Sequence, residues 1–125
     1  MKRRFRLANS KDIQRVRLLG KSYAHPLIVL VTLPNEMALP RIGVVAGRSI
    51  GGAVQRNRAK RHMRAAIGPL IASIQPGWDL MVIARPPIKQ AEFGQIQSAL
   101  ASLLKRAGIL NDTHGLGYDP SSSSG

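Results

Sequence analysis

The chain has 125 residues, of which 19 are Lys or Arg and 6 are Asp or Glu, so its formal net charge is +13. This length suits one domain with a modest core, and a hydrophobic content of 44% excludes a disordered basic tail. The excess of positive charge is typical of a protein that binds nucleic acid. The absence of cysteine excludes disulfides and thiolate metal sites, and it indicates a reducing, cytoplasmic compartment.

A membrane surface is the other polyanion that such a charge would attract. The basic N-terminus lacks the apolar segment of a signal peptide, and the longest apolar run, residues 26–34, is too short to span a bilayer. No basic amphipathic helix carries Trp or Phe on its apolar face. We therefore expect a cytoplasmic protein with no membrane partner.

The first part of the chain predicts a basic arm, a helix and two strands. After the arm of residues 1–9, Asn9 or Ser10 can cap a short helix that runs to Leu19 and ends at Gly20. Residues 21–34 have the composition of a strand, broken or bulged at Pro26 because proline cannot donate to a central ladder. A loop over residues 35–40 leads to a second strand at residues 41–46.

A basic helix is predicted from about Ala53, and Gly68-Pro69 should kink or end it. Its beginning carries five cations and no acid. Helical spacing places four polar residues on one stripe, namely Asn57, Lys60, Arg61 and Arg64. A second, apolar stripe contains Ala59, Met63, Ala66, Ile67, Leu70 and Ile74.

The basic stripe is unfavourable for an isolated helix. Each cation near the helix N-terminus opposes the macrodipole by about 0.3–1 kcal/mol. Like charges four residues apart, such as Arg56 and Lys60, add about 0.2–0.5 kcal/mol per pair. A charge run is often only a solvated face, but here no acid is interspersed, which favours a polyanion as partner.

The last part of the chain predicts one strand and one helix. Residues 78–85 form a buried strand that Pro86-Pro87 stops, and a helix follows from about Gln90 to Ala107 with Gly108 as its C-cap. The side chains expected to face inward are Phe93, Ile96, Leu100 and Leu103 or Leu104. Residues 111–125 are predicted to be a disordered tail. The helices are expected to cover one face of a mixed sheet.

Catalysis by this chain alone is not expected. The six acids are scattered, the three histidines are far apart, and no phosphate-binding loop of the Gly-Lys-Ser/Thr type is present. Gly51-Gly52 before a helix would let a phosphate approach, although a glycine pair is more often a plain turn. Aromatic residues are only 4% of the chain, so phosphate contact is favoured over base stacking.

The basic helix also resembles a known motif. Residues 50–64, Ile-Gly-Gly-Ala-Val-Gln-Arg-Asn-Arg-Ala-Lys-Arg-His-Met-Arg, are similar to the Arg-Asn-Arg motif of the bacterial ribonuclease P protein component. Residues 4–7, 12–16, 20–27 and 79–86 extend the similarity over roughly residues 3–107. The resemblance implies a fold of the α/β (α+β) class, like the second domain of ribosomal protein S5. That fold is a mixed sheet with helices and a left-handed βαβ crossover, built here as one domain over residues 1–110.

The resemblance further implies a protein subunit of ribonuclease P that is not catalytic alone. In that enzyme the RNA subunit performs the magnesium-dependent cleavage that removes the 5′ leader from precursor tRNA. The implied partners are therefore the ribonuclease P RNA and precursor tRNA, and Mg²⁺ acts through the RNA, with none bound tightly by the protein alone.

Site residues follow from the resemblance by position. The residues expected to contact the catalytic RNA are Arg48, Arg56, Asn57, Arg58, Lys60, Arg61 and Arg64. The residues expected in a leader-binding cleft between the first helix and the sheet are Phe5, Ile13, Arg17 and Tyr23. Ile13 and Arg17 stand where the family usually has Phe, which shifts the expected leader contact from stacking toward charge.

Other function classes remain open from the sequence. A ribosomal or assembly protein would use the same helix to bind rRNA and would not affect precursor tRNA cleavage. An autonomous nuclease would cleave without an RNA subunit, against which the missing carboxylate cluster argues. A binder of double-stranded DNA is the least favoured, because no helix-turn-helix spacing is evident.

Overall fold

The computed structural model describes residues 2–111, which form three helices and four strands. The helices are α1 (Ser10–Leu19), α2 (Ala53–Ile67) and α3 (Phe93–Ala107), and the strands are β1 (Lys21–Ala24), β2 (Ile28–Pro34), β3 (Arg41–Val45) and β4 (Trp78–Ala84). Short 3₁₀ turns lie at Arg3–Phe5, Arg48–Ile50, Gly68–Ser73 and Pro86–Gln90. None of the described helices is long and apolar enough to cross a membrane.

The last helix begins later than predicted. Pro86-Pro87 starts a 3₁₀ turn instead of the helix, and Glu92 keeps an extended backbone as the N-cap of α3. The side chain of Gln95 accepts a hydrogen bond from the Glu92 amide at 2.8 Å, which satisfies one of the free donors of the first turn. Gly108 ends α3 in the left-handed conformation, as predicted.

The sheet is mixed, with strand order β1-β2-β4-β3. β2 pairs antiparallel with both β1 and β4, whereas β3 pairs parallel with β4. Parallel neighbours need a long crossover connection, and α2 lies within the one between β3 and β4. This is the connection that the resemblance describes as a βαβ crossover.

Helices cover both faces of the sheet, so the expectation that they cover one face is wrong. Ile28 and Leu30 of β2 face the core formed with α2 and α3, whereas Val31 of β2 and Met81 of β4 pack with Val16 of α1 on the opposite face. β2 and β4 are nearly continuous apolar runs instead of alternating ones. Such strands are apolar on both faces, and each face needs a cover.

The larger core lies between the sheet and the helix pair α2 and α3. Met63 and Ile67 of α2 and Ile96 and Leu100 of α3 are fully buried there, and both Leu103 and Leu104 join them. Phe93 was expected to face inward, but it is 40% exposed. It is the first residue of α3. Its ring instead meets the ring of His62 edge to face, at a centroid distance of 6.4 Å.

The end of the described chain is attached to the core. Leu110 bridges to Ile74, and the amide of Asn111 donates to the carbonyl of Ser73 at 2.7 Å. Asn111, predicted as the first residue of the tail, therefore belongs to the folded part. The remainder of the predicted tail lies outside the described residues.

Candidate nucleic-acid interface

The glycine pair before α2 sets the geometry of its first turn. Gly51 has a φ of 133°, which side-chain-bearing residues rarely adopt, and an added Cβ would collide with Gln55. The Oε1 atom of Gln55 accepts from the Gly52 amide at 3.2 Å. The chain therefore satisfies one donor of this helix N-terminus by itself, which reduces what Gly51-Gly52 offers to a phosphate.

The predicted polar stripe is present on α2. Ala59 and Met63 are buried on the side of the helix that faces the sheet. Lys60 and Arg64 lie beside them and are half-buried, whereas Arg61 is exposed. The other predicted members of this surface are Arg56, which is half-buried, and Asn57 and Arg48, which are exposed. We call Arg56, Asn57, Lys60, Arg61 and Arg64 the basic stripe.

Cations of the basic stripe have no acidic partner. Within residues 2–111, both ion pairs involve Arg41, which lies on β3. The Nε atom of Arg64 is also buried, and no hydrogen-bond partner reaches it from the described part of the chain. An unpaired buried donor costs about 1–3 kcal/mol. The stripe is therefore a one-sign surface whose charges the fold does not compensate.

Arg58 lies at the edge of the stripe. It is three positions from Arg61 and is therefore its neighbour, but it is two positions from Arg56 and two from Lys60, which at 100° per residue turns it away from both. It lines a groove with His62 and with Ile88 and Lys89 of the Pro86–Gln90 turn. The residues predicted to contact RNA are thus divided between two flanks of one helix.

The four predicted cleft residues are not brought together. Ile13 packs on the α1 face of the sheet, and the exposed Arg17 follows one helical turn later. Tyr23 pairs with Leu30 and so lies on the opposite face, partly buried against the core of α2 and α3. Phe5 also packs against that core, and the guanidinium of Arg4 lies 5.0 Å from its ring centroid.

Residues that sequence reasoning missed line the α1 face beside Ile13. Val29 of β2, Val45 of β3 and Ile83 of β4 are half-buried and pack against the small cluster around Val16. They share a face because residues two apart on a strand, and cross-strand partners such as Val29 and Ile83, point the same way. The only feature of the sequence that could have indicated these residues was the apolar content of all three strands.

A charged network fixes α1 over this face. Arg41 of β3 donates from Nε and Nη2 to the two carboxylate oxygens of Asp79 on β4, at 2.9 and 2.8 Å. Its Nη1 reaches Asp12 of α1 at 3.1 Å, and Asn35 donates to Asp79 as well. The hydrogen bonds to Asp79 raise the pKa of Arg41, so the guanidinium stays charged at any working pH.

Comparison with known proteins decides the family. The family model described as ribonuclease P matches residues 1–108 of the chain. The ribonuclease P protein component of Herpetosiphon aurantiacus is 40% identical over 112 residues, which are 90% of this chain and 91% of the relative. The chain belongs to the ribonuclease P protein family.

Solved structures of the ribonuclease P family have the same fold. The Staphylococcus aureus RNase P protein matches with a TM-score of 0.77 at 34% identity, over 86% of this chain and 98% of that one. The RNase P protein from Thermotoga maritima matches with a TM-score of 0.73 at 30% identity, over 81% and 96% of the two chains. The resemblance seen in the sequence and the α+β class with its mixed sheet are confirmed. Family membership also implies an RNA partner in a ribonuclease P holoenzyme.

Proposed function

We propose that this protein is the RNA-binding subunit of a ribonuclease P that matures the 5′ end of tRNA. In this proposal the basic stripe and Arg48 contact the ribonuclease P RNA. The α1 face of the sheet holds the 5′ leader of precursor tRNA, and the RNA subunit performs the cleavage. The observation that carries the proposal is the uncompensated basic stripe of α2, in a chain of the ribonuclease P family.

The stripe supports RNA binding through electrostatics. In the free protein its like charges repel one another, and Arg56 near the start of α2 opposes the helix dipole. Phosphates along the stripe reverse the sign of both effects, and the release of counterions from RNA adds a driving force that salt weakens. The exposed Asn57 and Arg61 can reach phosphates directly, while Lys60 and Arg64 are half-buried, and the buried Nε donor of Arg64 has no partner within the described residues.

The leader contact is assigned to the α1 face because of its geometry. Val29, Val45 and Ile83 leave a half-buried apolar surface there, next to Ile13, and the exposed Arg17 follows Ile13 one helical turn later on α1. An extended single strand can lay bases on such a surface and phosphates on its cationic rim. With aliphatic side chains in place of aromatic ones, we expect weak base preference. Tyr23 and Phe5 lie on the other face, and we leave them out of this site.

Magnesium is assigned to the RNA subunit. Within residues 2–111, no three His, Asp or Glu side chains come together in a way that could hold a metal ion. Asp12 and Asp79 are both paired with Arg41. We therefore propose that Mg²⁺ acts through the RNA subunit and that the protein contributes by binding and orienting RNA.

Binding of a bacterial ribonuclease P RNA tests the stripe. The change Arg61→Ala should weaken binding and lower the slope of log affinity against log salt by about 0.7–0.9. Lys105→Ala removes the same charge from the far end of α3 and should leave the slope unchanged. Equal slopes for both variants and the unchanged protein would contradict the proposal.

The competing classes predict different results in the same system. A ribosomal or assembly protein would bind rRNA at least as tightly as ribonuclease P RNA and would leave precursor cleavage unchanged. An autonomous nuclease would cleave precursor tRNA with no RNA subunit present. The proposal expects neither result.

A further inference from the structure

A second cationic surface lies next to the stripe, on the flank of α2 that faces the Pro86–Gln90 turn. Arg58 and His62 of α2 face a groove of about 100 Å³ that the helix shares with the Pro86–Gln90 turn. Ile88 and Ala59 are 4% and 6% exposed and form its apolar floor. Lys89 stands exposed at its rim, opposite Arg58. The groove exists because Ala59 and Ala91, which also lines it, are too small to fill the space between the two segments.

The polar side chains around the groove can donate hydrogen bonds to a bound acceptor. Within the described residues, neither Arg58 nor Lys89 makes an ion pair. Gln55 accepts with Oε1 from the Gly52 amide, which leaves its NH₂ group free to donate. The imidazole of His62 is half-buried and held against the ring of Phe93, at an interplanar angle of 80°. Among the residues that the structure describes, no acidic one lines the groove.

The size of the groove restricts its ligand. Pockets for drug-sized molecules measure about 300–1,000 Å³. The groove, at about 100 Å³, is well below that range, so its ligand must be small. One tetrahedral anion fits that space, and a cluster of fixed donors around it is the arrangement that binds phosphate.

We propose that this groove binds one phosphodiester group of RNA through Arg58, Lys89, His62 and Gln55. This inference rests on the proposed function and extends the RNA contact around α2 to its second flank. A helix with its side chains is only about 10–12 Å across, so one folded RNA can reach both flanks. Helical spacing places Gln55 and His62 on the same face as Arg58, but no sequence pattern connects Lys89 with them.

The test is RNA binding by a lysine variant with a matched control. Lys89→Ala should weaken binding of ribonuclease P RNA about threefold to tenfold and lower the salt slope by about 0.7–0.9. Lys105→Ala makes the same change in net charge. Lys105 lies roughly 18 Å along α3 from the first residue of that helix, at a rise of 1.5 Å per residue. This variant should leave affinity and slope unchanged.

A second variant blocks the groove without a change in charge. Ala91→Leu places a larger side chain at the groove wall and should cause a similar loss of affinity. Because both changes remove one contact, the double variant should bind no more weakly than the weaker single variant. Thermal unfolding of each variant establishes that the affinity is measured on folded protein.

Two binding experiments distinguish whether the phosphodiester belongs to the RNA subunit or to the leader. A loss with ribonuclease P RNA alone assigns it to the RNA subunit, and a loss only when the holoenzyme binds a leader-bearing precursor assigns it to the leader. If Lys89→Ala matches Lys105→Ala in both experiments while Arg61→Ala still weakens binding, the groove proposal is wrong and the stripe stands. If Arg61→Ala also has no effect, the proposed function fails with it.

Discussion

α2 and α3 are helices of equal length, packed side by side on one face of the sheet, and their charges are arranged in opposite ways. Each has 15 residues. α3 carries its two cations, Lys105 and Arg106, in the last turn, where they complement the helix dipole. α2 carries five cations and no acid, with Arg56 near its start, where a cation opposes the dipole, and like charges such as Lys60 and Arg64 four residues apart. The charges of α3 stabilise the free protein. The charges of α2 destabilise it, and an RNA partner can reverse that loss.

The largest change in unfolding free energy is expected at Arg41, a half-buried cation that, unlike those of α2, is paired with a buried carboxylate. Arg41→Met leaves the carboxylate of Asp79, which is 1% exposed, without its main partner. Breaking a buried pair costs about 3–5 kcal/mol, and the 22% exposure of Arg41 places our expectation near 3 kcal/mol of unfolding free energy. Denaturant unfolding measures it, and Arg17→Met is the control. Arg17 is exposed and makes no ion pair within residues 2–111, so its replacement should change the unfolding free energy by less than about 0.5 kcal/mol.

The pH dependence of this effect follows from the raised pKa of Arg41. A group whose pKa is raised in the folded state stabilises the fold below its unfolded pKa, and that contribution is lost only as pH rises through the folded pKa. Both values lie far above neutrality. The cost of Arg41→Met should therefore be constant between about pH 7 and pH 10. A cost below about 1 kcal/mol at pH 7, or one that falls steadily over this range, would rule out the proposed network.

A smaller effect is expected when a lysine is replaced by alanine in each of the two helices. The change in unfolding free energy should have opposite signs in α2 and α3. Lys60→Ala removes the like-charge pairs with Arg56 and Arg64 and should raise the unfolding free energy by about 0.4–1 kcal/mol. Lys105→Ala removes a cation that favours the dipole and should lower it by about 0.3–1 kcal/mol. Only Lys60→Ala should weaken RNA binding. Changes of the same sign in both helices would contradict the comparison.

The smallest effect is expected at the end of the chain. Removal of residues 112–125 should leave unfolding free energy and RNA affinity unchanged, because the attachment of Asn111 to Ser73 is retained. Removal of Asn111 as well breaks that hydrogen bond and should cost about 0.5–1.5 kcal/mol. A loss of RNA affinity in the first truncation would show that the predicted tail binds RNA.

Sequence patterns predicted α1, α2 and most strand positions because their signals are local. Asn9 caps α1 with hydrogen bonds to the Lys11 and Asp12 amides, Gly20 ends it, and the 3.6-residue period of α2 separates its buried and basic sides. The Arg-Asn-Arg motif identified the family, and its stripe appears on the structure as predicted.

Positions that depend on pairing register could not be predicted. The face of Tyr23 is set by the turn after β1, where Leu27 donates to the Nδ1 atom of His25 and Tyr23 comes to oppose Leu30. A shift of one residue in that turn would have placed Tyr23 on the α1 face. The groove beside Arg58 depends on Lys89, which is distant in sequence and lies in a turn that the sequence marked only as the end of a strand.

Precursor tRNA cleavage at low magnesium tests the central claim most directly. A bacterial ribonuclease P RNA is assayed with a leader-bearing precursor, with this protein, with its Arg61→Ala variant, and without protein. The account predicts that the protein restores cleavage, that Arg61→Ala restores less at the same concentration, and that the protein alone cleaves nothing. Cleavage by the protein alone, or no effect of the protein on the RNA-catalysed reaction, would contradict it.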